Sequence, residues 1–455
     1  MDFIRSYFKL YWVVFAFCFL LISFKSYPQN FKEGKILVSG YVKDFDHEKG
    51  ENTVVFLINS AVNGVIKKTE MIGSRGNFRF ETVVPGPLDV SIQYAGKTAE
   101  LFFRPGDSLK IELGEFPFIN IISGNLAAEN GMIQDFLAQR TLGRDYKKPE
   151  SGSSPLFDAW AADHIKYEVF SKLVQHYNDP SLQGDSISSF LANYDMNRLP
   201  VLSVQYSQFL SGLYRYFTHK VEAGRSALFA QYARERNFIG LGGLFSEHIK
   251  NKTSGVTREL LLTMLFMDAL NGQQLKEFKA LWNSDPVLNS YLKSKIIEKS
   301  VELERYLENQ QIKDGTILAQ VDQAKDESVL DSVVRRFSGK VIYVDFWAPW
   351  CSPCMAAMPA SSEVQRYYKD KDIVFVFFAN RCSEESWKAT VANKELRGIH
   401  YKLNNDQYNV LASKFNINGI PHYLIINKDG KLVNSNAPGP DQKEDLRSAL
   451  DRLLK

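Results

Sequence analysis

Three kinds of apolar and polar patterning succeed one another along the chain. From residue 34 to 122, short β-prone runs alternate with turn residues at close, regular intervals. The runs cover 36–38, 53–58, 78–80, 88–92 and 101–103. The turns are Asn63-Gly64, Arg75-Gly76-Asn77, Pro85-Gly86-Pro87, Ala95-Gly96 and Pro105-Gly106-Asp107. This spacing predicts a small antiparallel β-sandwich. No titratable cluster stands out in it, so a structural or partner-binding module is expected. From 126 to 312 the period changes. Leu260, Leu261, Met264, Leu265 and Met267, then Leu292, Ile296, Ile297, Val301 and Leu303, recur at helical spacing. Gly152, Pro180, Pro200, Gly224 and Pro286 cut this all-α region into several helices. From 315 to 455 strands and helices alternate. Strands are predicted at 340–346, 373–378 and 423–426, the last turning through Asn427-Lys428-Asp429-Gly430 into 431–433. Helices are predicted at 354–368, 384–393 and 441–454, which gives an α/β layer fold.

Composition adds scale. The 455 residues are 45% hydrophobic and 13% aromatic, enough for several packed cores. A net charge of +3 with no Lys/Arg run argues against a nucleic-acid partner. The first 28 residues stand apart. Arg5 and Lys9 precede an apolar run at 10–24, and Lys25, Ser26 and Pro28 follow. That layout predicts a secretory signal peptide. The run is shorter than the ~20 residues that span a bilayer, and no small-x-small cleavage site is clear. Cleavage and retention as a membrane anchor both stay open. Either way the expected location is the periplasm or cell envelope. Cys18 lies inside the apolar run behind the bulky Phe17, a poor lipidation site, and reads as a small hydrophobe.

Four cysteines are too few to staple a scaffold. Two of them form Cys351-Ser352-Pro353-Cys354, preceded by Val344-Asp345-Phe346-Trp347-Ala348-Pro349-Trp350. A strand here delivers Cys351 to the start of a helix. Free backbone N–H groups and the helix dipole at that end favour a thiolate, which is the attacking species in disulfide exchange. Cys354, one turn on, can resolve the mixed disulfide, and Pro353 suits the first helical turn. Zinc would need a second such pair or a histidine, and Cys382 alone is a poor complement. His164, His176, His219 and His248 are scattered at no metal spacing. A structural disulfide is the remaining alternative for the pair.

These residues resemble a known family. Val-Asp-Phe-Trp-Ala followed by Trp-Cys-x-Pro-Cys is similar to thioredoxin, and Gly419-Ile420-Pro421 is similar to its cis-proline loop. The 373–378 strand followed by a helical insertion containing Trp387 is closer to the TlpA/ResA branch of envelope thioredoxins. The overall layout resembles longer Bacteroidetes-type members, with a β domain and a helical middle. The specific match covers 315–455; ahead of it the likeness is architectural only. The resemblance implies that Cys351 is the exposed nucleophile and Cys354 the resolving thiol. It implies a cis Pro421 beside the sulfurs, and an Ile420 backbone available to an extended substrate. Trp350 would shape the surface next to the nucleophile. Asp345 matches the buried carboxylate that takes the proton of Cys354; a surface or capping carboxylate is the alternative, against which Val344 and Phe346 argue.

Three departures bear on the chemistry. Many TlpA/ResA-like members carry a Glu three residues after the second cysteine, where this chain has Ala357. Lys402-Leu403-Asn404 is similar to the stretch whose lysine pairs with the buried aspartate, although the insertion would leave Phe377 in that place. His422 follows the proline where thioredoxin has Thr, either tuning the thiolate or facing solvent. The expected activity is exchange of the dithiol with protein disulfides, as a reductase fed by a thiol electron donor in the membrane. No cofactor beyond the redox-active disulfide is expected. An oxidase or isomerase of secreted proteins, and a partner-binding envelope protein with a regulatory redox domain, are the alternatives.

Overall fold

The computed structural model describes residues 31–48, 51–60, 64–142, 154–175, 187, 191–192, 194–224, 226–235, 237–284, 287, 289–320 and 329–455. The expected signal or anchor at 1–28 lies outside them, as do Gly152, Pro180 and Pro286. Among the described residues no helix is long and apolar enough to cross a membrane. The chain forms two compact units. One comprises residues up to Met264 together with Leu288–Leu292; the other comprises Leu265–Val287 and Lys293–Lys455.

The first unit opens with eight strands: β1 (Gly34–Val42), β2 (Thr53–Ser60), β3 (Gly64–Met71), β4 (Asn77–Val84), β5 (Leu88–Tyr94), β6 (Lys97–Phe103), β7 (Ser108–Leu113) and β8 (Ile119–Gly124). They make two four-stranded sheets, in the orders β4-β1-β7-β8 and β3-β2-β5-β6. Alternation places their inner faces. In β4, Phe78 and Phe80 are buried while Asn77, Arg79 and Glu81 face out. Phe80 stacks on Phe56 of β2, with ring centroids 4.0 Å apart. The sandwich is not wholly antiparallel, which corrects the sequence expectation. β7 pairs with β1 in parallel, from Leu37 opposite Ser108 to Val42 opposite Leu113. β5 and β6 add to the other sheet before the chain returns, so β7 arrives by a crossover and runs alongside β1.

Helices α1 (Ala127–Thr141), α2 (Pro155–Gln175), α3 (Val204–Ala223), α4 (Ala227–Glu235), α5 (Phe238–Lys252) and α6 (Gly255–Asn271) follow, the last crossing from one unit into the other. Trp160 of α2 donates its indole N–H to Asp89 of β5 at 2.8 Å, inside the first unit. A second correction belongs here: this unit does hold a buried titratable cluster, formed by Asp89, Glu100 and His164.

The second unit contains α7 (Leu275–Ser284), α8 (Ser290–Glu308, entering from the first unit), β9 (Thr316–Ala319), α9 (Val329–Arg336), β10 (Val341–Trp347), α10 (Ser352–Tyr367), β11 (Ile373–Ala379), α11 (Glu384–Asn393), β12 (Gly398–Lys402), α12 (Asn405–Phe415), β13 (His422–Ile426), β14 (Leu432–Asn434) and α13 (Lys443–Leu454). Its six-stranded sheet has the order β14-β13-β10-β11-β12-β9. β10, β11, β12 and β9 run parallel, while β13 and β14 return antiparallel. All seven residues of β10 are buried, as an uninterrupted strand covered on both faces should be. Val341, Tyr343 and Trp347 join the core that includes Cys351, Cys354, Phe377 and Tyr423. Ile342, Val344 and Phe346 join the opposite core, with Phe378, Leu424 and Leu411.

Candidate active site

β10 ends at Trp347, and four residues carry the chain from it to the tip of α10. Cys351 is the N-cap of that helix, in extended backbone, and its sulfur accepts the Cys354 N–H at 3.2 Å. A capping acceptor at this point satisfies an N–H that has no partner within the helix. The same donor and the positive end of the helix would stabilise a thiolate on Cys351 once the pair is reduced. Cys351 and Cys354 are joined in a disulfide, with Cα atoms 5.2 Å apart. Pro353 lies exposed in the first turn, where its missing N–H costs no helical bond. Ala357, almost a turn beyond Cys354, brings no carboxylate to the pair.

The proline loop lies against the sulfurs. The Ile420–Pro421 bond is cis, and the Ile420 carbonyl oxygen is 3.6 Å from Cys351 Sγ. That contact corrects one expectation: Cys351 is only 4% exposed and Cys354 3%, so neither presents an open sulfur in the disulfide state. Trp350 is the exposed neighbour, at 39%. Its indole N–H donates to the Arg381 carbonyl at 2.9 Å, which fixes the ring beside the loop after β11.

Asp345 is 6% exposed, and its Oδ1 has no hydrogen-bond partner. Burial raises its carboxyl from the ordinary range to about 8. Its neighbours in the sheet are Phe377 on β11 and Tyr423 on β13. Lys402 does not reach it. The lysine sits opposite Ala379 on β12, one strand beyond β11, and pairs instead with Glu384 of the inserted helix at 3.3 Å. Phe377 therefore occupies the place beside the carboxylate that a lysine would otherwise neutralise. His422 pairs in register with Phe346, whose side chain belongs to the core opposite the cysteines, and its Nε2 contacts the Ser435 carbonyl at 2.7 Å.

One contact had no signal in the sequence. Gln273, in left-handed backbone between α6 and α7, directs its amide N–H group at the Pro349 carbonyl at 3.5 Å. Its side-chain oxygen accepts from the Ser386 hydroxyl at 2.5 Å. A turn residue from the helical stretch thus ties the redox loop to α11. Only a three-dimensional neighbour relation reveals it, since glutamine in a turn carries no motif.

Cys382 is free and half-buried, with its thiol pushed up to about 12 by burial. So little thiolate at pH 8 predicts alkylation by iodoacetamide roughly 100-fold or more slower than for an unperturbed thiol. Peptide-resolved mass spectrometry of the disulfide-closed protein measures this. Alkylation at the rate of free glutathione would contradict it.

Residues 339–432 match a family model described as thioredoxin-like. A thiol–disulfide oxidoreductase ResA from Bacillus cereus is 26% identical over 120 residues, covering 26% of this chain and 67% of that protein. Thioredoxin 1 of Synechococcus elongatus is 30% identical over 113 residues, covering 25% of this chain and 79% of that protein. Among solved structures, the thioredoxin domain of a thiol–disulfide oxidoreductase from Bacteroides vulgatus is 25% identical, with a TM-score of 0.25, covering 27% of this chain and 84% of its own. Because the matched residues span both the Cys351–Cys354 turn and the Pro421 loop, the chain belongs to the thioredoxin-like thiol–disulfide oxidoreductases, and its redox group is the cysteine pair itself.

Proposed function

We propose that the protein is a disulfide reductase of the periplasm or cell envelope, acting on protein disulfides. The observation that carries the exchange chemistry is the buried Asp345 on β10, its Oδ1 unpaired, with Phe377 rather than a lysine beside it. A carboxyl with a pKa of about 8 is a base matched to a thiol near neutral pH. In the proposed cycle the Cys351 thiolate attacks one sulfur of the client disulfide, and the first client thiolate leaves. Cys354 passes its proton to Asp345 and attacks Cys351 Sγ, releasing the second client thiolate. Two electrons move to the client and the enzyme disulfide closes. A thiol donor in the membrane reopens it by the reverse exchange. Ile420 offers backbone for an extended client segment, and Trp350 offers an exposed aromatic face beside the sulfurs. The N-terminal charge and apolar pattern supports export, with cleavage or anchoring to follow.

Equilibrium titration of the Cys351–Cys354 couple against dithiothreitol tests the direction. A midpoint near or below about −250 mV is expected for a reductase, whereas ~−120 mV belongs to an oxidant. A value at the oxidising end would replace the reductase reading with an oxidase.

A further inference from the structure

The first unit contains a constellation that the redox chemistry does not use. Across β5 and β6, Asp89 lies opposite Phe102 and Ser91 opposite Glu100. Asp89 and Glu100 are therefore diagonal neighbours on one face of the sheet. His164 of α2 lies one turn past Trp160, with the two rings 4.9 Å apart, and Trp160 donates to Asp89 Oδ1. The spacing i, i+4 puts the indole and the imidazole on the same helix face, over the two carboxylates. One ligand atom from each of Asp89, Glu100 and His164 lies within 4.8 Å of the other two.

What these three residues leave unused is specific. Asp89 Oδ2, Glu100 Oε2 and His164 Nδ1 are all buried and all lack a hydrogen-bond partner. Asp89 is 1% exposed and His164 6%. A buried polar atom without a partner costs about 1–3 kcal/mol, so three such atoms on three residues of one cluster call for a common occupant. Nearby cations are committed elsewhere: Arg198 to Asp163, and Arg140 and Lys172 to Glu168. Among the described residues neither Asp89 nor Glu100 is in an ion pair. A shared proton could join the two carboxyls, but no hydrogen bond links them, and the imidazole nitrogen would stay orphaned. Ligands around a divalent transition-metal ion at bond lengths of ~2.0–2.2 Å stand roughly 3–4 Å apart, a separation that falls within the 4.8 Å span of this cluster.

We propose that Asp89, Glu100 and His164 bind a divalent transition-metal cation in the first unit. Two carboxylates and a neutral imidazole balance its charge. Burial lowers the His164 imidazole to about 4, so its lone pair is free at neutral pH. The same burial raises both carboxyls, a cost that a bound dication removes. Trp160 holds Asp89 from behind, the supporting contact such ligands commonly receive. Glu100 is the least buried of the three. Three protein ligands leave a position for water. The ion would clamp β5 and β6 to α2, ligands 11 and 64 residues apart on three separate elements.

The test uses the full chain, chelator-stripped, with Cys351–Cys354 closed and with Cys18→Ser and Cys382→Ser in every protein compared, so that thiols do not compete. Zn²⁺ is titrated by calorimetry and Co²⁺ by visible absorption, beside His164→Phe, which keeps an aromatic ring, and Glu100→Gln. The expected result is one Zn²⁺ per chain and a Co²⁺ d–d band without a thiolate charge-transfer band. Each variant should bind ~100-fold or more weakly. Zn²⁺ should raise the thermal midpoint of wild type by several degrees, and that of neither variant. Far-UV and near-UV circular dichroism, the latter reporting Trp160 beside the site, show that the first unit of each variant is folded. Stoichiometric binding that survives in both folded variants, or no binding by wild type above the level of the variants, overturns the proposal.

Discussion

In the Cys354→Ser protein, insulin reduction falls by ~10³-fold or more, the scale of losing a covalent participant, yet Cys351 still captures substrate. The variant accumulates a mixed disulfide that resists dilution and opens with dithiothreitol. Cys351→Ser loses turnover to the same degree and captures nothing. The asymmetry follows from the helix tip. Cys351 is the cap, with its sulfur on the Cys354 N–H, so a thiolate there has a donor and the helix dipole behind it. Cys354 lies inside the first turn and can reach only the sulfur of Cys351. Its role is to end the covalent intermediate. Intact-mass analysis after mixing with a disulfide peptide distinguishes the two variants. Equal capture by both, or turnover by Cys351→Ser above a few per cent of wild type, would end the assignment of roles.

The burial of Cys351 shapes how that capture proceeds. With the disulfide closed, the sulfur lies 3.6 Å from the Ile420 carbonyl oxygen, and Cys351 as a residue is 4% exposed. A thiol donor must therefore approach along the Pro421 loop or displace it. The exposed residue next to Cys351 is Trp350, which the Arg381 carbonyl holds in place.

How much of this could be read from the chain depended on sequence distance. The redox turn was legible because its parts are contiguous: an apolar strand, four connecting residues and a helix whose second residue is proline. The buried status of Asp345 followed from Val344 and Phe346, since a strand apolar on both faces has no solvent side. Its partner did not follow. Whether Lys402 or Phe377 stands beside the carboxylate depends on how many strands separate β12 from β10, which periodicity leaves open. The parallel pairing of β1 with β7 was hidden for the same reason: alternation identifies a strand but not its neighbour. Gln273 and the Asp89, Glu100 and His164 cluster were out of reach altogether. Their meaning arises only where elements far apart in the chain meet.

Asp345→Asn makes the clearest energetic prediction. In the unfolded chain this carboxyl titrates near 4, whereas in the folded protein burial places it at about 8. Between those values the native state keeps a proton that the unfolded state has released. Stability of the redox unit therefore falls as pH rises from ~4, by at most about 1.4 kcal/mol per pH unit, and levels off above ~8. Asparagine carries no such proton and removes that slope. At pH 4 and below the two proteins should differ little. By pH 8 the variant should be more stable by roughly 2–4 kcal/mol, less than the full shift because water and side chains relax around a buried charge. The catalytic consequence runs the other way. Without a base for the Cys354 proton, release of the mixed disulfide should slow ~10–100-fold at pH 7, while the first attack by Cys351 is little changed. Amide exchange of β10, compared between the two proteins at matched pH, measures the stability difference. Stopped-flow decay of the mixed disulfide measures the second step. A variant less stable than wild type at pH 8, or one that resolves the intermediate at the wild-type rate, would show that Asp345 holds β10 together rather than moving a proton.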